Sequence, residues 1–204
     1  MIEVEIKVAI SNPDSLKENL KNLDGKYVIS LEHEDTYFNM PKKLRNFRKT
    51  DEALRLRKSI EFNKNDKENT TSIRSFITYK GKKIDQTTKT REEIEVEIKN
   101  LEKMKKLFEN LGFREIFTVK KERELYEFNF KNEKVDVLID FLPILNQNFM
   151  EAEVIVEYKE EIRSVREKLF EFLKQFGISK TDSIRESYLE LIIKKLKLEE
   201  FKRI

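Results

Sequence analysis

The sequence contains no cysteine, and His33 is its single histidine. Without cysteine the chain cannot form disulfides, use thiolate catalysis or build zinc–thiolate sites. One histidine also rules out a multi-histidine metal site. Any bound metal must therefore be held by oxygen ligands, which favours Mg²⁺ or Mn²⁺.

The sequence also lacks long apolar runs and flexible linkers. No apolar run approaches the roughly 20 residues that a membrane-spanning helix needs. No stretch rich in proline, glycine or serine divides the 204 residues, which are enough for one domain with a sizeable core. We therefore expect a soluble, cytoplasmic protein with a single domain over 1–204, no membrane partner, and a frayed end that includes 201–204.

Charge is plentiful but balanced. Charged residues make up 40% of the chain, and 42 basic side chains nearly cancel 39 acidic ones to leave a net charge of +3. A mixed balance of this kind argues against a general nucleic-acid or membrane binder. The arrangement of the charges along the chain is therefore more informative than their sum.

Pairs of glutamates lie on one face of several predicted strands. The pattern is clearest in 1–8, where apolar residues alternate with Glu3, Glu5 and Lys7. Because successive side chains of a strand face opposite sides, the two glutamates lie about 7 Å apart on one face. The same pattern recurs in two later segments, with Arg91, Glu93 and Glu95 in 91–98, and with Glu151 and Glu153 in 149–156.

Other predicted strands carry basic groups or aspartates on one face. These are Arg55 and Arg57 in 53–58, Lys80 at the end of 73–80, Lys121 and Arg123 in 113–130, and Asp136 and Asp140 in 135–142. A helix is predicted to begin at Pro13, with Asn12 as its N-cap. Helical spacing of apolar residues predicts further helices over 101–111, 162–176 and 184–198. The polar stretches 63–70 and 81–90 are expected to form an exposed loop and a mobile flap.

About eight amphipathic strands are compatible with two structures. In the first, an open sheet buries its apolar face against helices and exposes its charged face to solvent. In the second, an antiparallel sheet closes into a barrel with the charges inside and the helices outside. Like charges in tight pairs favour the barrel, because they repel unless a bound ion neutralises them. The residues alone leave both structures open.

Nine short motifs follow one another along the chain. They are Glu3-Val4-Glu5-Ile6-Lys7, Asp35-Thr36-Tyr37-Phe38, Ala53-Leu54-Arg55-Leu56-Arg57, Ile77-Thr78-Tyr79-Lys80-Gly81, Arg91-Glu92-Glu93-Ile94-Glu95, Leu111-Gly112-Phe113, Val119-Lys120-Lys121-Glu122-Arg123, Met150-Glu151-Ala152-Glu153 and Ser187-Tyr188-Leu189-Glu190-Leu191. In these motifs and their order the chain resembles CYTH-domain proteins of the triphosphate tunnel group, and most closely the class IV adenylyl cyclases, over about residues 1–191. It departs from the group's pattern in 142–148, where a glycine is usual and none is present.

The resemblance implies an α+β fold: a closed eight-stranded antiparallel β-barrel, or tunnel, with a charged lumen and helices packed on the outside. It implies that a triphosphate binds inside with Mg²⁺ or Mn²⁺. The implied metal ligands are Glu3, Glu5, Glu151 and Glu153, and the implied triphosphate-binding residues are Lys7, Arg55, Arg57, Lys80, Lys121 and Arg123. Glu3, Glu5, Lys7 and Asp140 are the implied catalytic residues, and Arg91, Glu93 and Glu95 line the lumen.

The implied reaction is conversion of ATP to cyclic AMP and pyrophosphate. The alternatives are hydrolysis of an inorganic, thiamine or RNA 5′-triphosphate, and binding of polyphosphate or nucleotide without catalysis. The one nucleic-acid partner compatible with these reactions is an RNA 5′-triphosphate end. The sequence is compatible with a homodimer. Most aromatic residues are expected in the core, whereas Tyr37, Phe38 and Tyr79 flank lumen positions and are the candidates for a base-stacking surface.

Overall fold

The structure, a computed structural model, describes residues 2–66 and 71–196. Its strands are β1 (Ile2–Ile10), β2 (Lys26–Asn39), β3 (Ala53–Phe62), β4 (Thr71–Lys80), β5 (Arg91–Glu97), β6 (Arg114–Phe130), β7 (Glu133–Leu142) and β8 (Gln147–Val156). They close into an antiparallel barrel in the order β1-β5-β4-β3-β2-β6-β7-β8. The predicted eight-stranded antiparallel barrel is confirmed, and the open sheet with a solvated charged face is wrong.

Five α-helices in the described residues pack around the barrel and make the fold α+β. They are α1 (Pro13–Asn22), α2 (Phe47–Thr50), α3 (Leu101–Asn110), α4 (Ile162–Lys174) and α5 (Tyr188–Leu196). The predicted start of α1 is confirmed, because the side chain of Asn12 accepts a hydrogen bond from the backbone N–H of Ser15. The short helix α2 was not predicted, since four residues are too few to show a helical period.

The apolar faces of the strands pack against the helices on the outside of the barrel. Val4 and Ile6 of β1 are completely buried in a cluster that includes Leu169 and Leu173 of α4. Full burial of one such side chain contributes about 1.5–3 kcal/mol relative to leaving it in water. Because the side-chain period of a strand is two, this packing directs the charged face of β1 into the lumen.

Apolar side chains fill one end of the barrel. Tyr37, Val119 and Phe149 point inward and form a buried cluster with Tyr188 and Ile192 of α5. These residues continue the inner faces that carry the lumen charges further along β2, β6 and β8. The lumen is therefore closed at the end that α5 covers, and its charged part leads to the opposite end.

The segment 81–90, predicted to form a mobile flap, is anchored to the barrel by several contacts, and its mobility stays a prediction. The carboxylate of Asp85 accepts hydrogen bonds from the backbone N–H groups of Thr87 and Thr88, and it pairs with Arg166 of α4 at 2.6 Å. Thr88 and Thr90 are fully buried. The backbone N–H of Lys89 donates to the carbonyl of Glu5, so the end of the segment is fixed against β1.

Two predicted features extend beyond the described residues. The exposed loop begins as expected with a turn at Asn63–Asp66, but the rest of that prediction, 67–70, lies outside them. The predicted frayed end at 201–204 and the last two residues of the predicted helix 184–198 lie outside them as well. The predicted start of that helix at Ile184 is wrong, because α5 begins at Tyr188. None of the described helices is both long and apolar enough to cross a membrane.

Candidate active site

Charged side chains surround a cavity of about 480 Å³ in the lumen. The cavity brings together most of the residues that the sequence predicts: Glu3, Glu5, Arg55, Arg57, Lys80, Arg91, Glu93, Glu95, Lys121, Arg123, Glu151 and Glu153. The other two predicted residues, Lys7 and Asp140, are completely buried and lie behind the cavity wall. The strand alternation therefore identified one common site and not scattered surface charges.

Three carboxylates converge where β1 meets β8. One oxygen from each of Glu3, Glu5 and Glu153 lies within 4.8 Å of the other two. Glu5 and Glu153 are direct cross-strand partners. Burial, together with the charge of Glu151, raises the pKa of Glu5 to about 8, and burial together with Glu3 raises the pKa of Glu153. Crowded like charges of this kind are relieved when a cation binds among them.

The donor set of this acidic cluster suits a hard divalent cation. All three groups offer carboxylate oxygens, which are the ligands that Mg²⁺ and Mn²⁺ prefer. Mg²⁺ is commonly bound by one or two carboxylates, with water and substrate phosphates completing its coordination. Three carboxylates that face an open cavity meet that requirement, so the residues present fit such an ion.

Glu151 lies next to the acidic cluster but pairs with basic groups. Its carboxylate accepts hydrogen bonds from Lys89 at 2.9 Å and from Arg123 at 2.5 Å. Burial opposes ionisation here, yet Lys89 and Arg123 hold the pKa of Glu151 well below its usual range. Glu151 is therefore not one of the three carboxylates that converge, and its predicted role as a metal ligand stays a prediction.

Arginines held by buried aspartates form the basic wall of the cavity. Arg57 makes a two-pronged ion pair with Asp35, at 2.6 and 2.8 Å. Arg123 makes the same kind of pair with Asp140, at 2.6 and 2.5 Å. Paired hydrogen bonds fix a guanidinium in orientation as well as in place. The wall therefore presents cations whose geometry is set before any ligand binds.

Lysines and further arginines complete the basic wall. Arg55 contacts Asp35 at 3.6 Å and donates to Glu95 at 3.1 Å. Lys121 lies 3.5 Å from Asp140, and burial beside Arg123 lowers the pKa of Lys121 to about 8. Burial outweighs the attraction of Asp140 and Glu151 for this lysine. An anion in the cavity would therefore favour its charged form.

The acidic residues of β5 neutralise the basic wall instead of joining the acidic cluster. Glu93 accepts a hydrogen bond from Lys80 and lies 3.5 Å from Arg91. Glu95 accepts a hydrogen bond from Thr78 at 2.7 Å in addition to that from Arg55. Both line the lumen, as predicted.

Comparison with known proteins assigns the barrel to a family. The family model described as the CYTH domain matches residues 1–188. The chain belongs to the CYTH domain family. A protein of Methanocaldococcus jannaschii named putative adenylate cyclase is 44% identical over 191 residues, which cover 94% of this chain and 98% of that protein.

Solved structures share the CYTH fold. A protein of Pyrococcus horikoshii superimposes with a TM-score of 0.80 and 37% identity, covering 95% of this chain and 99% of the other. A more distant structure from Hippeastrum has a TM-score of 0.61 and 16% identity, covering 95% and 96% of the two chains. It is described as a putative adenylyl cyclase that reveals a dominant triphosphatase activity. At this low identity it supports the fold alone.

In this CYTH barrel Lys7 lies behind an aromatic ring. Its ammonium group donates to the backbone carbonyl of Glu186 and lies 4.2 Å from the centroid of the Tyr188 ring. Burial, with Lys89 nearby, lowers the pKa of Lys7 to about 7. Lys7 does not border the cavity, so its predicted contact with phosphate stays a prediction.

Three site residues were missed as functional groups by the sequence analysis. Lys89, from the segment 81–90, donates to both Glu5 and Glu151. Tyr188 donates to Asp140 at 2.7 Å and lies under the ammonium group of Lys121 at 5.1 Å. Asp35 orients the arginines of β3. Asp35 and Tyr188 stand in motifs that were recognised, and Lys89 lies two residues before Arg91, a spacing that continues the inner face of β5.

His33 has no catalytic geometry. It is buried, and its Nε2 lies 3.1 Å from the hydroxyl of Ser59. Burial and the nearby charge of Arg57 lower its pKa, so the ring stays neutral and contributes polar packing between β2 and β3.

Proposed function

We propose that this CYTH protein is a divalent-metal-dependent enzyme that acts on a triphosphate and converts ATP to cyclic AMP and pyrophosphate. The observation that carries the proposal is the convergence of Glu3, Glu5 and Glu153 on a cavity whose other walls hold preorganised arginines. The name of the 44% identical relative from Methanocaldococcus jannaschii supports the cyclase reaction.

The charges of the cavity are complementary to a metal-bound triphosphate. Guanidinium groups bind phosphate oxygens through paired, charge-assisted hydrogen bonds. Arg55, Arg57 and Arg123 would bind the phosphate chain, with Lys80 and Lys121 as additional point charges. Glu3, Glu5 and Glu153 would hold Mg²⁺ or Mn²⁺, which when bound neutralises phosphate charge and lowers the pKa of an attacking oxygen.

Positioning and charge neutralisation supply most of what phosphoryl chemistry requires. In the proposed reaction the ribose 3′-oxygen bonds to the α-phosphorus, the bond to the bridging oxygen breaks, pyrophosphate leaves, and the hydroxyl proton passes to solvent. Asp35 and Asp140 hold their arginines rigidly, so the charge that develops on the leaving pyrophosphate meets cations already in place.

Triphosphate hydrolysis is the second candidate function. The same lumen would hold the substrate, and water would attack the terminal phosphorus in place of the ribose hydroxyl. The description of the Hippeastrum structure, which names a dominant triphosphatase activity in a protein of this fold, is the reason to test it directly.

The test is product identification with ATP, tripolyphosphate and thiamine triphosphate in the presence of Mg²⁺ or Mn²⁺. Cyclic AMP with pyrophosphate supports the cyclase, and orthophosphate supports the triphosphatase. Glu153→Gln should abolish turnover while triphosphate still binds, whereas Glu122→Gln, on the exposed outer face of β6, should behave as wild type. Binding of triphosphate by both wild type and Glu153→Gln, with turnover by neither, would contradict a metal-dependent enzyme and indicate a binding protein.

A further inference from the structure

The mouth of the cavity differs from its interior because it carries apolar side chains. Phe76 of β4 lines the cavity and shares an inner face with Thr78. Ile155 of β8 lines it as well and is 56% exposed. Among the described residues of the cavity wall, the other aromatic side chains are Tyr37 and Tyr188, which are buried at the filled end of the lumen. Phe76 is thus the aromatic ring that a ligand entering from the open end meets.

Phe76 and Ile155 lie directly beside the groups proposed to bind phosphate and metal. Phe76 is the cross-strand partner of Arg57 on β3 and of Glu97 on β5. Ile155 is the cross-strand partner of Glu3 on β1. Side chains in direct opposition have Cβ atoms about 4.5–5.5 Å apart. Phe76 therefore lies within reach of the remaining atoms of a ligand whose phosphates contact Arg57.

A solvent-exposed ion pair covers one face of the ring. The guanidinium carbon of Arg74 lies 4.9 Å from the centroid of the Phe76 ring, and Arg74 donates to Glu97 at 2.7 Å. The two charged side chains are 45% and 54% exposed, and exposed pairs of this kind contribute little to stability. A flat aromatic group can displace the guanidinium from the ring or stack on it.

The aromatic residues that the sequence singled out do not provide such a surface. Phe38 belongs to the core between the barrel and α3. Tyr79 faces outward, and its hydroxyl donates to Glu52. Tyr37 is buried in the cluster that fills the closed end. The structure therefore replaces all three candidates with Phe76.

We propose that Phe76 is the stacking surface for the base of a nucleoside triphosphate, with Ile155 providing a second apolar contact at the mouth. This inference rests on the proposed function, because it requires the phosphates to occupy the charged lumen. It specifies the substrate class, since inorganic tripolyphosphate has no group to place on the ring. Stacking accepts any base face, so Phe76 selects nucleotides over inorganic phosphates.

The test compares two probes by calorimetric titration with Mg²⁺: tripolyphosphate, and an ATP analogue with a methylene bridge between the α- and β-phosphorus. Phe76→Ala should weaken binding of the analogue about 5- to 150-fold, the usual range for losing one base-stacking ring, and leave tripolyphosphate binding within about twofold. Phe76→Trp should retain analogue binding. Val96→Ala, an exposed apolar residue on the outer face of β5, should change neither.

The outcomes separate this inference from the proposed function. Equal losses for both probes, or no loss for either, would overturn the stacking role of Phe76 while leaving the triphosphate site intact. Failure of the wild-type protein to bind tripolyphosphate with Mg²⁺ would overturn the proposed function itself. If Phe76→Ala does not fold, Phe76→Leu gives the same comparison, because it retains bulk without a ring.

Discussion

Replacement of Asp35 by asparagine tests whether the basic wall depends on its buried carboxylates. Asp35 is 2% exposed and receives two hydrogen bonds from Arg57, with Arg55 3.6 Å away. Burial opposes ionisation of Asp35, but Arg57 and Arg55 hold its pKa well below the usual range. Asparagine has nearly the same shape and no charge, so Asp35→Asn leaves Arg57 without its counter-ion and leaves Arg55 with Glu95 alone.

The expected loss of stability follows from the free-energy cost of leaving a buried charge without its partner. Breaking a buried ion pair by removing one partner destabilises a protein by about 3–5 kcal/mol. For a chain of this size each kcal/mol lowers the melting temperature by about 2–4 °C, so Asp35→Asn should lower it by about 6–20 °C. Tripolyphosphate with Mg²⁺ should restore more stability to the variant than to wild type, because phosphate oxygens replace the lost carboxylate.

Urea denaturation and thermal melting measure this effect, and the neighbouring residue offers a matched control. Glu34 pairs with Lys120 at 2.6 Å on the outside of the barrel, where the two side chains are 42% and 68% exposed. Exposed pairs contribute about 0–1 kcal/mol, so Glu34→Gln should change little. If Asp35→Asn destabilised the protein no more than Glu34→Gln, the reasoning about the lumen charges would be refuted.

Three further predictions concern other groups. Because the pKa of Lys121 is lowered to about 8 and a bound anion would raise it, this lysine should weaken metal-free tripolyphosphate binding up to about tenfold per pH unit above pH 8. Lys121→Arg should make that slope shallower in titrations from pH 7 to 9.5, and an unchanged slope would contradict the role of Lys121. Lys89→Met leaves Glu5 and Glu151 without their shared cation, so the free energy of unfolding of the metal-free protein should fall by about 3–5 kcal/mol. Added Mn²⁺ should raise the melting temperature of the variant more than that of wild type. Equal melting temperatures of the two metal-free proteins would contradict this prediction. Phe172 lies in the core between the barrel and the helices, so Phe172→Ala should lower the free energy of unfolding, measured by urea denaturation, by about 3–5 kcal/mol without changing KM. A loss below about 1 kcal/mol would contradict close packing at this position.

The sequence allowed the barrel and most of the lumen to be predicted because the strands carry a strict period of two. Once Ile2, Val4 and Ile6 are assigned to a buried outer face, the glutamates between them have to point inward. The loop between β7 and β8 lacks the glycine that is usual in the group's pattern. Asn146 adopts a positive φ of 49° there, a conformation that asparagine accepts more readily than most residues.

Other features required the three-dimensional structure because no local pattern encodes them. The segment 81–90 is polar and resembles a loop, yet the ion pair between Asp85 and Arg166 of α4 anchors it to the barrel, and Lys89 reaches Glu5 of the acidic cluster. Phe76 follows the same alternation as its neighbours, but the position of the cavity mouth depends on how α5 fills the other end. The period of a strand shows on which face of the sheet a side chain lies, but not how far along the lumen it lies.

The packing of Tyr37, Phe149 and Tyr188 closes one end of the barrel, so a ligand can enter and leave only through the other end. The part of a substrate that binds deepest therefore leaves last. If the base binds at the open end, the cyclic nucleotide would leave first and pyrophosphate second. Pyrophosphate should then be a competitive inhibitor with respect to ATP, and cyclic AMP should be a noncompetitive one. The reverse pattern would show that products leave through the end beside α5.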